Sequence, residues 1–221
     1  MNQIQRDIVL GTLLGDGCLE YNGYRGTRLQ IKQMDAHKQY VFWLYEHLSD
    51  LCRTGPQQRK DTKQWYFSTR ALEELTDLQK IFYFQKRKRV PADVESLITS
   101  PVSIAIWYMD DGTLDYRPKS HYNFRLSTDS FTSDENELLV NMLKVNFGVD
   151  ASICTSLCRG RRYHRLYIGS KGRDSFLDLV KPHMITPCFN RKIPLLNHIK
   201  LDPSETEHEY AHYMHATVRE I

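Results

Sequence analysis

Val9-Leu10-Gly11-Thr12-Leu13-Leu14-Gly15-Asp16-Gly17 and Ile104-Ala105-Ile106-Trp107-Tyr108-Met109-Asp110-Asp111-Gly112 share one pattern, a mostly apolar run closed by Asp-Gly, at an offset of 95 residues. A repeat of this kind sets the organisation of the chain before any local reading does. Outward from each copy the same order follows. A polar turn leads to an alternating segment (28–33; 123–127) and an amphipathic helix (36–52; 133–147). Two short alternating stretches come next (57–60 with 64–68; 151–157 with 163–168), the period of half-buried strands. A closing helix (71–84; 171–180) then runs into a basic cluster ending in proline, Lys88-Arg89-Val90-Pro91 and Arg191-Lys192-Ile193-Pro194. The chain therefore reads as an α+β protein of two pseudosymmetric αββαββα halves. These are residues 1–91 and 103–200, joined by a linker over 92–102 in which Pro101 is placed to begin a helix. Residues 201–221 are expected to form a helical acidic tail.

The composition suits such a protein. Of 221 residues, 41% are hydrophobic, enough for a core, yet no run approaches the length of a bilayer-spanning helix. The N-terminus lacks the apolar run of a secretory signal, so the five cysteines read as reduced intracellular thiols. Cys154 and Cys158 are the close pair, but no second ligand pair accompanies them, and they read as packing residues. The tail holds five acids against Arg219 alone, which leaves 29 Lys and Arg against 22 Asp and Glu in residues 1–200. That excess suits a polyanionic partner, and no membrane partner is expected, since no run is long enough to span one.

A carboxylate at the end of a nearly all-apolar helix is costly unless a cation or hydrogen bonds offset it. One Leu-Gly-Asp-Gly would read as a helix stop with a C-terminal glycine. Two in register read as a site: helices packed side by side about a pseudo-twofold axis bring Asp16 and Asp111 together. Gly11 and Gly15 on the first helix and Ala105 on the second are the small residues for that seam. Adjacent carboxylates repel, and Mg²⁺ or Mn²⁺ taken through oxygen ligands relieves the repulsion. Asp110 competes with Asp111 for the ligand role, but register sets Asp110 opposite Gly15 and Asp111 opposite Asp16; Gly15 and Asp110 complete the metal candidates. Paired metal-binding carboxylates are suited to in-line attack of water on a phosphodiester. Lys88 and Lys192 are the candidate cations for charge developing in that transition state, the alternative being ordinary lysines ending a helix.

Together these residues resemble the LAGLIDADG homing endonucleases, in the branch with two motifs on one chain. Trp107-Tyr108-Met109-Asp110-Asp111-Gly112 followed by Ser127-Thr128-Asp129-Ser130-Phe131-Thr132 carries the resemblance most specifically, with Lys181-Pro182-His183 and Asn190-Arg191-Lys192-Ile193-Pro194 in support. It spans roughly residues 4–196. The resemblance implies metal binding by Asp16 and Asp111, catalytic roles for Lys88 and Lys192, and polar residues near the metal-bound waters at Gln33 and at Thr128 or Asp129. It implies a monomer whose antiparallel sheets form a saddle over a long, asymmetric double-stranded DNA site, with one bond cut per strand to leave short 3′ overhangs. On that saddle the basic and polar residues of the strands and hairpins would meet phosphates and base edges: Arg28, Gln30, Lys32, Arg59, Lys60, Lys63, Arg70, Arg117, Lys119, Arg125, Arg159, Arg161, Arg162 and Arg165.

His208-Glu209-Tyr210-Ala211-His212 matches the His-Glu-x-x-His pattern of zinc peptidases. A third ligand could come only from His215 or Glu220, so no zinc is expected, and Tyr210, Met214 and Val218 make an amphipathic helix the better reading. His37, His121 and His164 read as surface or turn histidines. Two rivals to cleavage share the fold: an intron RNA maturase or splicing cofactor, and a DNA-binding protein that does not cut. The paired Asp residues, which cleavage needs and binding does not, favour the endonuclease.

Overall fold

The computed structural model describes residues 1–194 except Asn22, 118–120, Arg159 and 186–187. The expected tail helix with its histidine pattern, Lys119, Arg159 and the side chain of Arg161 lie outside the described residues.

Helix α1 (Gln3–Leu14) begins at a capping box in which Asn2 and Gln5 satisfy each other's backbone N–H groups. Every residue from 8 to 14 is buried. A helix apolar on all sides must be covered on all sides, and one of its covers is the second motif helix, α5 (Pro101–Asp111), capped by Ser100 with proline in its first turn. The two run side by side. Ser103 Oγ donates to the Asp7 carbonyl at 2.8 Å. A Cβ on Gly11 would lie 2.6 Å from the Ser103 carbonyl oxygen and 2.9 Å from Ile106 Cβ, so the close approach needs the glycine. On the second helix it is thus Ser103 and Ile106, not Ala105, that face Gly11; the bulk of Ile106 fits because Gly11 has none.

Each motif helix leads into a four-stranded antiparallel sheet. In the first half β1 (Cys18–Tyr21), β2 (Thr27–Gln33), β3 (Gln57–Gln58) and β4 (Trp65–Ser68) lie in the order β1-β2-β4-β3. After the two-stranded hairpin of β5 (Tyr83–Phe84) and β6 (Arg87–Lys88), the second half repeats that order with β7 (Gly112–Arg117), β8 (His121–Leu126), β9 (Ser152–Cys158) and β10 (Arg161–Ile168), as β7-β8-β10-β9. Helices α2 (Lys38–Leu48) and α3 (Glu73–Phe82) complete the first half, and α6 (Ser133–Phe147) and α7 (Arg173–Val180) the second. The period-2 pattern explains the layering: in β2, Thr27, Leu29, Ile31 and Gln33 point inward while Arg28 and Lys32 face solvent.

Three features add to the segments legible in the sequence. The first of the two strands expected after each motif helix takes up what reads as a polar turn, as β1 or β7, paired from Cys18↔Gln30 to Tyr21↔Thr27 and from Gly112↔Leu126 to Arg117↔His121. The linker carries a helical turn, α4 (Val94–Leu97), whose Val94 is buried and whose neighbouring carbonyls at Glu95 and Ile98 accept from Asn146 Nδ2. The β5–β6 turn is made by Gln85 and Lys86, both at positive φ (48° and 65°), where asparagine and glycine are the usual residues. Among the described residues no helix is long and apolar enough to cross a membrane.

Candidate active site

The paired motif helices end in one acidic cluster. Asp16 follows α1 at the surface, and Asp110 and Asp111 end α5, both partly buried. A Cβ on Gly15 would fall 2.6 Å from both Asp110 Cβ and Oδ2, so Asp110 occupies the space that the first motif leaves empty. Its carboxylate is tied to the opposite half: Oδ2 accepts from Asp16 N at 3.1 Å, and Oδ1 accepts from Tyr40 OH at 2.9 Å and Gln33 Nε2 at 3.2 Å. Gln33 Nε2 also donates to Asp16 Oδ2 at 2.9 Å. Asp111, by contrast, accepts no side-chain hydrogen bond from a described residue.

Burial, and then the charge of Asp16, push the Asp111 carboxyl up to about 7, against the opposing pull of Lys88 and Lys192. The same two causes hold Asp110 well above the ordinary carboxylate range. The cluster is therefore short of positive charge, although two lysines stand beside it.

Those lysines close the motif helices. Lys88, on β6, donates from Nζ to the carbonyls of Gly15 and Gly17 at 2.7 Å each. Lys192 donates to Met109 O at 2.6 Å and Tyr108 O at 3.1 Å, while Tyr108 OH donates back to the Lys192 carbonyl. Helix C-termini carry orphan carbonyls and partial negative charge, so each ammonium has a structural place. Burial lowers both ammonium pKa values, that of Lys192 to about 8, with the nearby aspartates opposing. An ammonium has three protons, and two are used in each case.

Thr128 is fully buried, and its hydroxyl is engaged by Asn136 Oδ1 and the His164 carbonyl rather than by an aspartate of the cluster. Asp129 is the neighbour whose charge reaches Asp111, and it holds Arg165 through two bonds of 2.8 and 3.1 Å. His37 and Tyr40 are site residues that sequence reasoning missed. His37 is buried rather than on the surface, with Nδ1 3.2 Å from Gln33 Oε1 and its ring 4.9 Å from that of Phe189. The available signal was the spacing of Gln33, His37 and Tyr40, which continues one face of the chain from β2 into α2.

The model of the LAGLIDADG DNA endonuclease family matches residues 6–176. The chain belongs to this family. It is 28% identical over 211 residues to DNA endonuclease I-ChuI of Chlamydomonas applanata, covering 87% of this chain and 95% of that protein. It is 26% identical over 190 residues to the cytochrome b mRNA maturase bI2 of Debaryomyces hansenii, covering 81% of this chain and 70% of that one. Among solved structures, the homing endonuclease I-WcaI bound to its DNA recognition sequence superposes with a TM-score of 0.74 at 23% identity, over 87% of each chain, which shows the shared fold.

On this LAGLIDADG fold the predicted nucleic-acid contacts divide. Lys32, Lys60, Lys63, Arg117 and Arg162 are exposed, and Gln30 and Lys32 share a groove with Gln58, Arg59, Lys60 and Tyr66. Others already have anionic or carbonyl partners: Arg28 with Glu20 at 2.7 Å, Arg59 with Asp61 at 2.9 Å, Arg70 with the Asp50 carbonyl at 2.6 Å and Arg125 with Asp115 at 3.8 Å. Exposed pairs of this kind are weak enough to exchange for a phosphate.

A divalent cation fits the donors present. Asp16 and Asp111 offer hard oxygen ligands, and a cation between them would offset both the burial and the Asp16 charge that hold the Asp111 carboxyl up. Among the described residues no group of three or more His, Cys, Asp or Glu could hold a metal ion by itself, and Cys18, Cys52, Cys154 and Cys188 are free thiols.

Proposed function

We propose that this chain is a site-specific DNA endonuclease that hydrolyses one phosphodiester in each strand of a long, asymmetric duplex, acting as a monomer with Mg²⁺ or Mn²⁺ and leaving short 3′ overhangs. The observation that carries the reading is the pair of carboxylates, Asp16 and Asp111, at the ends of two close-packed helices and short of positive charge. Both motif copies lie on one chain, which is why a monomer suffices and why the two halves, with different strand residues, would read an asymmetric site.

Asp16 and Asp111 would hold cations at two centres, one serving each strand, with phosphate and water supplying further oxygens. When bound, each cation would polarise the scissile phosphate and favour ionisation of water. Gln33 holds Asp16 in position. Lys88 and Lys192, each with a proton not committed to a helix carbonyl, would stabilise the negative charge that grows as the water oxygen bonds to phosphorus. One P–O ester bond breaks, and its oxygen leaves as a hydroxyl after taking a proton. The exposed faces of the two sheets would form the saddle that meets the DNA, since paired strands fit the major groove.

The test is a cleavage selection from a randomised or genomic duplex library in Mg²⁺, with the Asp16→Asn, Asp111→Asn protein in parallel. One enriched long site cut only by the unmodified protein is expected. Equal cutting by the double variant removes both residues from the mechanism. The similarity to a maturase supports one second reading, binding of intron RNA on the same fold; a protein that binds RNA tightly and cuts no member of the library would establish that reading instead.

A further inference from the structure

We propose that Asp110 is a positioning residue for Asp16 rather than a metal ligand, and that it braces only one end of the site, so that the two DNA strands are cut at unequal rates. The proposal rests on the endonuclease reading and extends it to the order of events.

Both oxygens of Asp110 are already engaged by the first half, through Asp16 N, Tyr40 OH and Gln33 Nε2. Gln33 shares its amide between Asp110 and Asp16, and its orientation is set in turn. The amide oxygen can only accept, so His37 Nδ1 must carry the proton that faces it. Burial keeps the ring neutral, so His37 Nε2 is the bare nitrogen, buried without a hydrogen-bond partner among the described residues. Phe189 of the second half packs against His37 and stands edge-on to Tyr40, at 4.9 and 5.1 Å between ring centres. The relay His37, Gln33, Asp16, with Tyr40 and Asp110 across it, is locked from both halves.

In the 95-residue register the described residues of the second half hold no counterpart. Asp110 corresponds to Gly15, which has no side chain to return the favour. Gln33 corresponds to Thr128, whose hydroxyl faces Asn136 and His164. His37 and Tyr40 correspond to Thr132 and Glu135, which instead form the capping box of α6. The residues that orient Asp16 are thus replaced by residues that start a helix, and the Asp111 carboxylate accepts no hydrogen bond from a described residue. A pre-oriented carboxylate needs less reorganisation before the chemical step, so the end of the site built on Asp16 should act first.

The experiment is single-turnover cleavage of the selected duplex in Mg²⁺, with each strand labelled separately, for the unmodified protein, Asp110→Asn and Tyr40→Phe. Tyr40→Phe keeps the ring and removes only the hydroxyl, so it also serves as the variant that folds. The unmodified protein should cut one strand several-fold faster. Both variants should slow that strand by about tenfold, typical for loss of an outer hydrogen bond to a metal-site ligand, and leave the other within about twofold. Terbium titration without DNA supplies a second readout: Asp110→Asn should keep binding within about fivefold, whereas Asp16→Asn should lose more than about tenfold. Equal slowing of both strands, or a loss of terbium binding in Asp110→Asn as large as in Asp16→Asn, overturns the proposal. If the unmodified protein cuts neither strand of any duplex, the endonuclease reading itself has failed, a result distinct from equal slowing.

Discussion

Replacing Asp111 by asparagine should abolish cleavage and at the same time stabilise the metal-free protein. In the folded chain burial and then Asp16 raise this carboxyl from 3.8 to about 7. Between those values the unfolded chain has released its proton and the folded chain keeps it. Folding therefore takes up a proton, and stability falls as pH rises. The contribution is fully present below about pH 4 and is lost progressively as pH rises through 7. At roughly 1.4 kcal/mol for each tenfold change in proton activity, the raised carboxyl costs up to about 4 kcal/mol near pH 8, where it is ionised in the fold, and about 2 near pH 5, where folding must take up the proton. Asparagine has the shape of the protonated acid and escapes that cost. Urea melts in EDTA should accordingly place Asp111→Asn above the unmodified protein near pH 8, with the gap about halved near pH 5 and closed near pH 4. Ca²⁺ should recover the unmodified protein near pH 8 and do much less for the variant. If Asp111→Asn is the less stable protein near pH 8, or if the gap does not change with pH, the electrostatic account of the empty site is wrong.

Gly11→Ala should destabilise the protein by about 1–3 kcal/mol, the usual range for overpacking, because the new methyl meets the Ser103 carbonyl oxygen at 2.6 Å; a thermal melt unchanged from that of the unmodified protein would refute the close helix seam. Lys88→Met and Lys192→Met should each slow single-turnover cleavage while DNA affinity in Ca²⁺ stays nearly constant, and a large loss of affinity would recast them as phosphate-positioning residues. Lys32→Ala, which removes an exposed cation from β2, should weaken binding of all duplexes similarly and reduce the salt dependence of log K by about one counterion; a loss confined to the selected site would make Lys32 a base reader.

The repeat alone was enough to read much of this protein. Two apolar helices ending in Asp-Gly, each followed by alternating and amphipathic segments in one order, leave few arrangements that bury every apolar face, and the α+β plan with paired motif helices follows from that pattern. The amphipathic segment over 133–147 was legible to its ends, because Thr132 and Glu135 cap it and Gly148 stops it in the left-handed region. The first strand of each sheet was counted in the αββαββα plan, but its bounds were not legible. In β1 only Leu19 is buried, so Cys18 to Tyr21 carries too little alternation to distinguish strand from turn until β2 pairs with it. The β5–β6 hairpin was illegible for a different reason: Gln85 and Lys86 take positive φ without the asparagine or glycine that announces such a turn.

At the site the sequence by itself determined which residues could carry charge chemistry and that two aspartates occupy equivalent places. Tertiary structure decided how unequal those places are. Asp110 reaches Tyr40 across 70 positions and Gln33 across 77, and Lys192 reaches the Met109 carbonyl across 83. Such partners share no local periodicity, since they depend on how closely α1 and α5 approach and on which side chain fills the space that Gly15 leaves. Local pattern sets the elements because backbone hydrogen bonding and burial repeat along the chain; the site is set by contacts between elements, which repeat only where both halves place the same atoms.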